Sequence, residues 1–241
     1  MRVVRQELKY FINVNNIMNL QSMLPSVVQP DSFNRHKMND YKVRSLYFDT
    51  IYNKDLDEKL DGILSREKVR IRLYNEKSII KLEFKKREST AIDKTTFVID
   101  KSLADKIISR NYNINEFKNN DHLGIMKFLI KMKSIGYMPR VIVEYDREAY
   151  TLPFGNIRIT IDKNLRTYNN DTNLFDIKNK STPVFDDGLQ ILEVKFTNYL
   201  PKSVKYLLNS VEAIPHSISK YTLCQKYINY RPWNDHLSIP F

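Results

Sequence analysis

Apolar and polar residues alternate with period two over eight stretches of the chain: 6–12, 42–48, 68–74, 79–87, 95–99, 139–150, 157–162 and 190–196. Such alternation places successive side chains on opposite faces of a strand, so each stretch is expected to form one. Helical spacing appears between them. Val14, Ile17, Met18, Met23 and Leu24 form one stripe, and Leu103, Ile107 and Ile108 form another. A third helix is expected from a cap at Asp121 to Gly136, with Pro139 beyond it. A fourth starts at Pro201 and packs Val204, Leu207, Leu208 and Val211. A fifth starts near Ser219 and carries Tyr221, Cys224, Tyr227 and Ile228 on one face. The Asn/Asp-rich segment 169–187 reads as a loop. The fold class is α+β, with about eight antiparallel strands, a number that suits a small closed barrel. Nothing marks a second domain, so 1–241 is expected to be one unit.

The polar positions of these strands are mostly cationic. Lys68, Arg70 and Arg72 lie opposite Val69, Ile71 and Leu73, and Lys81, Glu83 and Lys85 lie opposite Ile80, Leu82 and Phe84. The same division separates Arg158, Thr160 and Asp162 from Ile157, Ile159 and Ile161, and Glu193 and Lys195 from Leu192, Val194 and Phe196. Glu7 and Lys9 stand against Leu8 and Tyr10. For any one strand, an ordinary half-solvated sheet explains the pattern. If the sheet closes with its helices outside, however, the charged faces line the interior. Two like charges about 4 Å apart repel by roughly 4 kcal/mol at an effective dielectric near 20, so converging Lys and Arg require an anion or water between them. Arg forks and Lys point charges together suit a chain of phosphates. Glu7, Glu83, Asp162 and Glu193 share these faces. Their ordinary role is pairing with neighbouring cations, but with phosphate oxygens one or two of them can hold Mg²⁺ or Mn²⁺, Glu193 being the favoured ligand.

Charge supports an anionic partner: 39 Lys and Arg face 28 Asp and Glu, a formal net charge of +11. With 5 glycines, and neither GxxxxGK[ST] nor GxGxxG, the chain lacks the usual backbone phosphate cradles, so side chains must hold the phosphates. Ser219 and Lys220, at an expected helix start, add amides and a dipole that favour anions. Cys224 is the only cysteine, which excludes a disulfide framework and reads as a plain buried thiol. His36, His122, His216 and His236 show no metal-like spacing. The N-terminal segment has no uninterrupted apolar run, and no spanning helix follows, so a cytoplasmic protein is expected.

The motifs ELKY, RSLYFDT, VRIRLY, KLEFKKRE, VEYDREAY, IRITID, ILEVKF and SISKY, in this order across nearly the whole chain, resemble the VTC (vacuolar transporter chaperone) domain. That domain is the polyphosphate polymerase branch of the triphosphate tunnel metalloenzymes. The resemblance implies a tunnel barrel that transfers the γ-phosphate of ATP to a growing polyphosphate chain with a divalent metal, Mn²⁺ or Mg²⁺. Carried over by motif, Lys9, Arg70, Arg72, Lys85, Lys94, Arg147, Arg158 and Lys220 bind phosphate, Glu193 binds metal, and Ser219 joins Lys220 near the chain end. Lys81 and Lys195, on the same cationic faces, complete the phosphate-binding set. Arg70, Arg72, Arg147, Arg158 and Lys220 are the expected catalytic cations.

Three departures stand out. Arg5 occupies the place of the first Glu in the ExExK stretch of hydrolase and cyclase members. Ser217 stands two places before Ser219, where the polymerases are expected to have a basic residue. Arg147 follows Val143 and Tyr145 in alternation, which sets it on an otherwise apolar face unless the strand bulges. A triphosphate hydrolase, with Glu7 or Glu83 orienting water, and a non-catalytic polyphosphate-binding module are the competing readings. A nucleic-acid binder is disfavoured by the strand-internal alternation. VTC domains elsewhere are fused to membrane segments not visible here, which leaves a separate membrane protein as a candidate partner.

Overall fold

The structure is a computed structural model and describes residues 5–31, 40–75, 77–89, 91–117, 123–169, 171–176, 180–211 and 213–229. The eight expected strands are β1 (Arg5–Ile12), β3 (Tyr41–Asp49), β4 (Ser65–Tyr74), β5 (Lys77–Glu88), β6 (Ala91–Ile99), β7 (Met138–Leu152), β8 (Ile157–Tyr168) and β10 (Gln190–Thr197). They form one antiparallel path, β1-β10-β8-β7-β3-β4-β5-β6. Two short strands join it from the side: β2 (Gln29–Pro30) on β7, and β9 (Ser181–Pro183) on β8. β9 lies inside the segment expected to be a loop. Three residues are too few for alternation to be visible.

The five expected helices are α1 (Val14–Met23), α3 (Lys101–Ile108), α4 (Leu123–Ile135), α5 (Lys202–Asn209) and α6 (Lys220–Asn229). Asn13 and Asn16 cap the start of α1 reciprocally, and Asp100 accepts the Leu103 amide at 2.7 Å to start α3. Gly136, at φ +80°, ends α4 in the left-handed conformation that glycine adopts without strain. The proposed Asp121 cap lies outside the described residues, as do His36, His122 and His236.

The apolar strand faces pack outward under helices, as the alternation dictates. Val69, Ile71, Leu82 and Phe84 bury against Ala104 and Ile107 of α3 and Leu129 and Met132 of α4. Ile159, Ile161, Leu192 and Val194 bury against Leu20 of α1 and Val204 and Leu207 of α5. A third cluster, unexpected from sequence, fills part of the concave face: Val43, Tyr47, Val141, Val143, Tyr145 and Ile191 pack around Tyr221 and Cys224 of α6. The interior is therefore apolar where α6 enters it and charged beyond. Burial pushes the Cys224 thiol pKa upward.

The closed barrel is not formed. Among the described residues no ladder joins β6 back to β1, and the two are the ends of an open, curled sheet. Most of β6 is exposed, notably Ile92 to Thr96, so it presents no apolar face that a closing strand would bury. Period-two patterning specifies which face of a strand is buried. Closure also needs a matching tilt and stagger around the ring, which the pattern does not encode.

α2 (Lys54–Leu60) was not expected. It is short, and its apolar content is Leu56 and the exposed Leu60. Its start is fixed by Asp49, whose buried carboxylate accepts the amides of Thr50 at 2.7 Å, Asp55 at 2.9 Å and Leu56 at 3.1 Å. The Tyr221 hydroxyl donates to the same carboxylate at 2.5 Å, which locks α2 to α6 at the mouth of the concavity.

Candidate functional site

A cavity of about 490 Å³ opens on the concave face. One wall is the β1–β10 pair, where Glu7 faces Lys195 and Lys9 faces Glu193 across the ladder. The opposite wall is the β4–β5 hairpin, whose interior rungs are Arg66/Arg87, Lys68/Lys85, Arg70/Glu83 and Arg72/Lys81. Between them stand Tyr145 and Arg147 of β7, and the segment His216–Lys220 leading into α6. That segment runs beside β1, the His216 amide donating to the Lys9 carbonyl at 2.7 Å.

Of the expected phosphate-binding residues, Lys9, Arg70, Arg72, Lys85, Arg147, Lys195, Ser219 and Lys220 line this cavity. Lys81, Lys94 and Arg158 do not. Lys81 sits over the Tyr74 ring at 5.1 Å. Lys94 donates to Glu83 Oε1 at 2.5 Å. Arg158 is held by Asp31 at 2.6 Å and donates to the Tyr41 hydroxyl at 3.2 Å. Arg147 reaches the cavity without the bulge that alternation demanded, because its face is the interior one, made apolar by α6. The β3–β7 register runs unbroken from Tyr41↔Arg147 to Tyr47↔Val141; the shift between β7 and β8 beyond Glu144 adds a residue to β8, and β7's own extra residue lies beyond Val141, away from Arg147.

Carboxylates fix the deep cations. Arg70 donates through Nε to Glu83 Oε2 at 2.6 Å and through Nη1 to the Tyr47 hydroxyl at 2.8 Å. Arg72 donates to Ser45 Oγ at 2.9 Å. Arg147 grips Asp162 with both Nε and Nη2, at 2.6 and 2.8 Å, and Lys220 meets Asp162 Oδ2 at 2.5 Å. Burial favours the neutral acid at Glu83, yet Arg70, Arg72 and Lys94 outweigh it and hold the pKa at about 2. Burial opposes the Asp162 charge too, and Arg147 and Lys220 again lower its pKa. Both carboxylates are thereby committed to positioning cations.

Glu193 and Glu7 are the acidic groups that fit a divalent ion. Both line the cavity, and each feels the other's charge. Glu193 is buried and its pKa lies well below the usual range, since Lys195, Lys9, Lys220 and Arg147 overcome the effect of burial. Its Oε1 is in contact with the Lys195 ammonium. Two carboxylates sharing a cavity with phosphate-binding cations are the hard oxygen donors that Mg²⁺ or Mn²⁺ takes. No group of three His, Cys, Asp or Glu gathers among the described residues, so an ion here would complete its shell with water and substrate phosphates, as Mg²⁺ commonly does.

Four cavity cations were not among the expected binding residues: Lys59, Arg66, Lys68 and Arg87. Lys68 was legible as part of a cationic strand face, and Lys59 was hidden because α2 was. Lys59 donates to Ser217 Oγ at 2.6 Å, bringing a cation from another element to the position where a basic residue was expected. Lys68 donates to Ser219 Oγ at 2.9 Å. Ser219 also accepts the Thr222 amide at 3.3 Å, the cap expected at the start of α6.

Burial and then the charges of Lys9, Lys85, Lys59 and Arg70 push the Lys68 pKa down to about 7. A bound polyanion favours the ammonium, so binding takes up a proton wherever free Lys68 is neutral. The affinity for a polyphosphate of some tens of units, whose two ends alone titrate in this range, is expected to fall as pH rises above about 7. Calorimetry at pH about 8 in two buffers of different ionisation heat checks this. The wild type should show proton uptake and Lys68→Arg should not, whereas buffer-independent heat in the wild type would remove Lys68 from the binding step.

The antiparallel sheet is open, with its apolar strand faces under the helices and its cationic faces on the cavity. The chain belongs to the VTC domain family, whose profile matches residues 4–229. Two solved structures share the fold. A putative adenylyl cyclase from Hippeastrum, described with a dominant triphosphatase activity, has a TM-score of 0.54 at 14% identity, over 91% of this chain and 94% of that one. A putative adenylate cyclase from Vibrio parahaemolyticus has a TM-score of 0.52 at 12% identity, over 92% and 98%. No curated protein sequence matches the chain. No helix among the described residues is long and apolar enough to cross a membrane.

Proposed function

We propose that this protein transfers the γ-phosphoryl group of ATP to the end of an inorganic polyphosphate chain, with ADP as the second product. The observation that carries the reading is the convergence of cations from both walls on one cavity that contains two carboxylates, Glu7 and Glu193, suited to a metal ion. The terminal phosphate oxygen of the chain attacks the γ-phosphorus in line, the bond to the bridging oxygen breaks, and ADP leaves. Arg70, Arg72, Arg147 and Lys220 stabilise the charge that spreads over the transferred group, already oriented by Glu83 and Asp162. Glu193, with Glu7, would hold Mg²⁺ or Mn²⁺, which when bound neutralises phosphate oxygens. No protein nucleophile is required.

Triphosphate hydrolysis is the second reading, favoured by the acidic Glu7 on the cavity wall, which can orient water. Incubation with ATP and Mn²⁺ or Mg²⁺, with and without a short polyphosphate primer, separates the two. Chains formed in step with ADP support transfer, free phosphate without chains supports hydrolysis, and neither product with polyphosphate still bound would leave a binding module.

A further inference from the structure

Three lysines from three elements hold three successive residues ahead of α6. Lys59 of α2 donates to Ser217 Oγ at 2.6 Å, Lys9 of β1 to the Ile218 carbonyl at 2.9 Å, and Lys68 of β4 to Ser219 Oγ at 2.9 Å. Ser219 is thereby fixed on the lining of the cavity that Arg70, Arg72 and Lys220 share. Its oxygen already accepts the Thr222 amide at 3.3 Å, which leaves the hydroxyl proton to be donated. Lys68 is a suitable receiver. Lys9, Lys85, Lys59 and Arg70 act on it, its nitrogen lies 5.5 Å from the centre of the Tyr221 ring, and burial together with these charges favours the neutral amine. Once neutral, the amine accepts from the serine instead of donating to it. A serine hydroxyl at hydrogen-bond distance from such a lysine is a pairing that activates the oxygen as a nucleophile.

We propose that Ser219 is itself a phosphoryl acceptor, so that the protein phosphorylates its own cavity when no polyphosphate primer is present. The Ser219 Oγ attacks the γ-phosphorus of ATP and forms an O–P bond, while the bond from that phosphorus to the bridging oxygen breaks. The hydroxyl proton passes to Lys68 Nζ, ADP leaves, and a phosphoserine remains. Its phosphate is well placed to persist. The first-turn amides of Lys220 and Tyr221 have no acceptor within α6, and they join the lysine ammonium groups in favouring an anion at this helix start. The inference rests on ATP as the phosphoryl donor, as in the proposed function, but not on the growth of a chain. A primer in the cavity competes with the serine for the same phosphorus.

The test incubates the full chain with ATP and Mn²⁺, with and without a short polyphosphate primer, then denatures it and locates any added phosphoryl group by fragmentation mass spectrometry. Phosphoserine is expected at Ser219 in the primer-free reaction and should be suppressed by the primer. Ser219→Asn, which keeps a capping side chain but has no hydroxyl, should carry none. Lys68→Arg keeps the charge and loses the titratable amine, so at saturating ATP it should be modified about 100-fold more slowly. In the wild type that rate should climb as pH rises above about 7, opposite to the trend in chain affinity, and Lys68→Arg should abolish the climb. Modification at another residue, or a label that survives in Ser219→Asn, would overturn the proposal, and an undiminished rate in Lys68→Arg would overturn the role of Lys68. Chains grown from the primer by a protein that never acquires phosphoserine would overturn the acceptor and leave the polymerase reading standing. Phosphoserine without chains would do the reverse, and no ADP in either reaction would remove both.

Discussion

Glu193→Gln is expected to lower metal-supported turnover by about 100-fold or more, while tripolyphosphate binds the metal-free variant more tightly than it binds the wild type. The substitution preserves shape, and it removes a negative charge that lies among Lys195, Lys9, Lys220 and Arg147. A cationic cavity that loses a carboxylate attracts an anion more strongly, so affinity and turnover should move in opposite directions. Metal titrations of turnover and calorimetry in EDTA measure the two quantities. Turnover with an unchanged metal dependence would show that Glu193 is not the ligand. Lost turnover with weakened metal-free binding would show instead that it serves to hold Lys195 and Lys220.

The largest effect on stability is expected at Glu83. Its carboxylate is buried and shared by Arg70 at 2.6 Å, Lys94 at 2.5 Å and, further off, Arg72 at 4.0 Å. Glu83→Gln leaves those cations without an anion, a loss of about 3–5 kcal/mol for a broken buried pair. The pH dependence has a definite sign. The folded carboxyl titrates at about 2, below its ordinary 4.5, so its stabilisation is complete above 4.5 and disappears as pH falls through about 2. The difference amounts to about 3 kcal/mol. Urea unfolding at pH 7 and in acid should show the wild type losing this increment and the variant lacking it from the start. A variant as stable as the wild type at pH 7 would mean that water, not Glu83, compensates Arg70.

Strand positions were most readable where one face of a strand is uniformly apolar. Val69, Ile71 and Leu73, or Ile157, Ile159 and Ile161, allow only one orientation under the outer helices. The same alternation identified Lys9, Arg70, Arg72, Lys85 and Lys195 as sharing a surface, which the cavity bears out. It failed where a residue's surroundings are set by a distant segment. Val143 and Tyr145 look like outward core residues, yet α6, remote in sequence, makes their interior face apolar and leaves Arg147 on it. Arg158 carries the expected alternation but is captured by Asp31 from the far side of the chain. Lys59 depends on a helix whose start is fixed by Asp49, a contact with no local signature. The proposed roles of Glu193 as metal ligand and of Ser219 as an anion contact were read from the charged strand face and the expected helix start, and the resemblance to the family agrees with both.

The missing seam between β6 and β1 sets the mechanical character of the cavity. A closed barrel has its girth fixed by a ring of backbone hydrogen bonds, and widening it means breaking a ladder. Here the two ends can separate or approach by a change in sheet coil alone, with every ladder between them intact. A change of bore therefore breaks no ladder, a property that would suit the proposed transfer to a charged polymer.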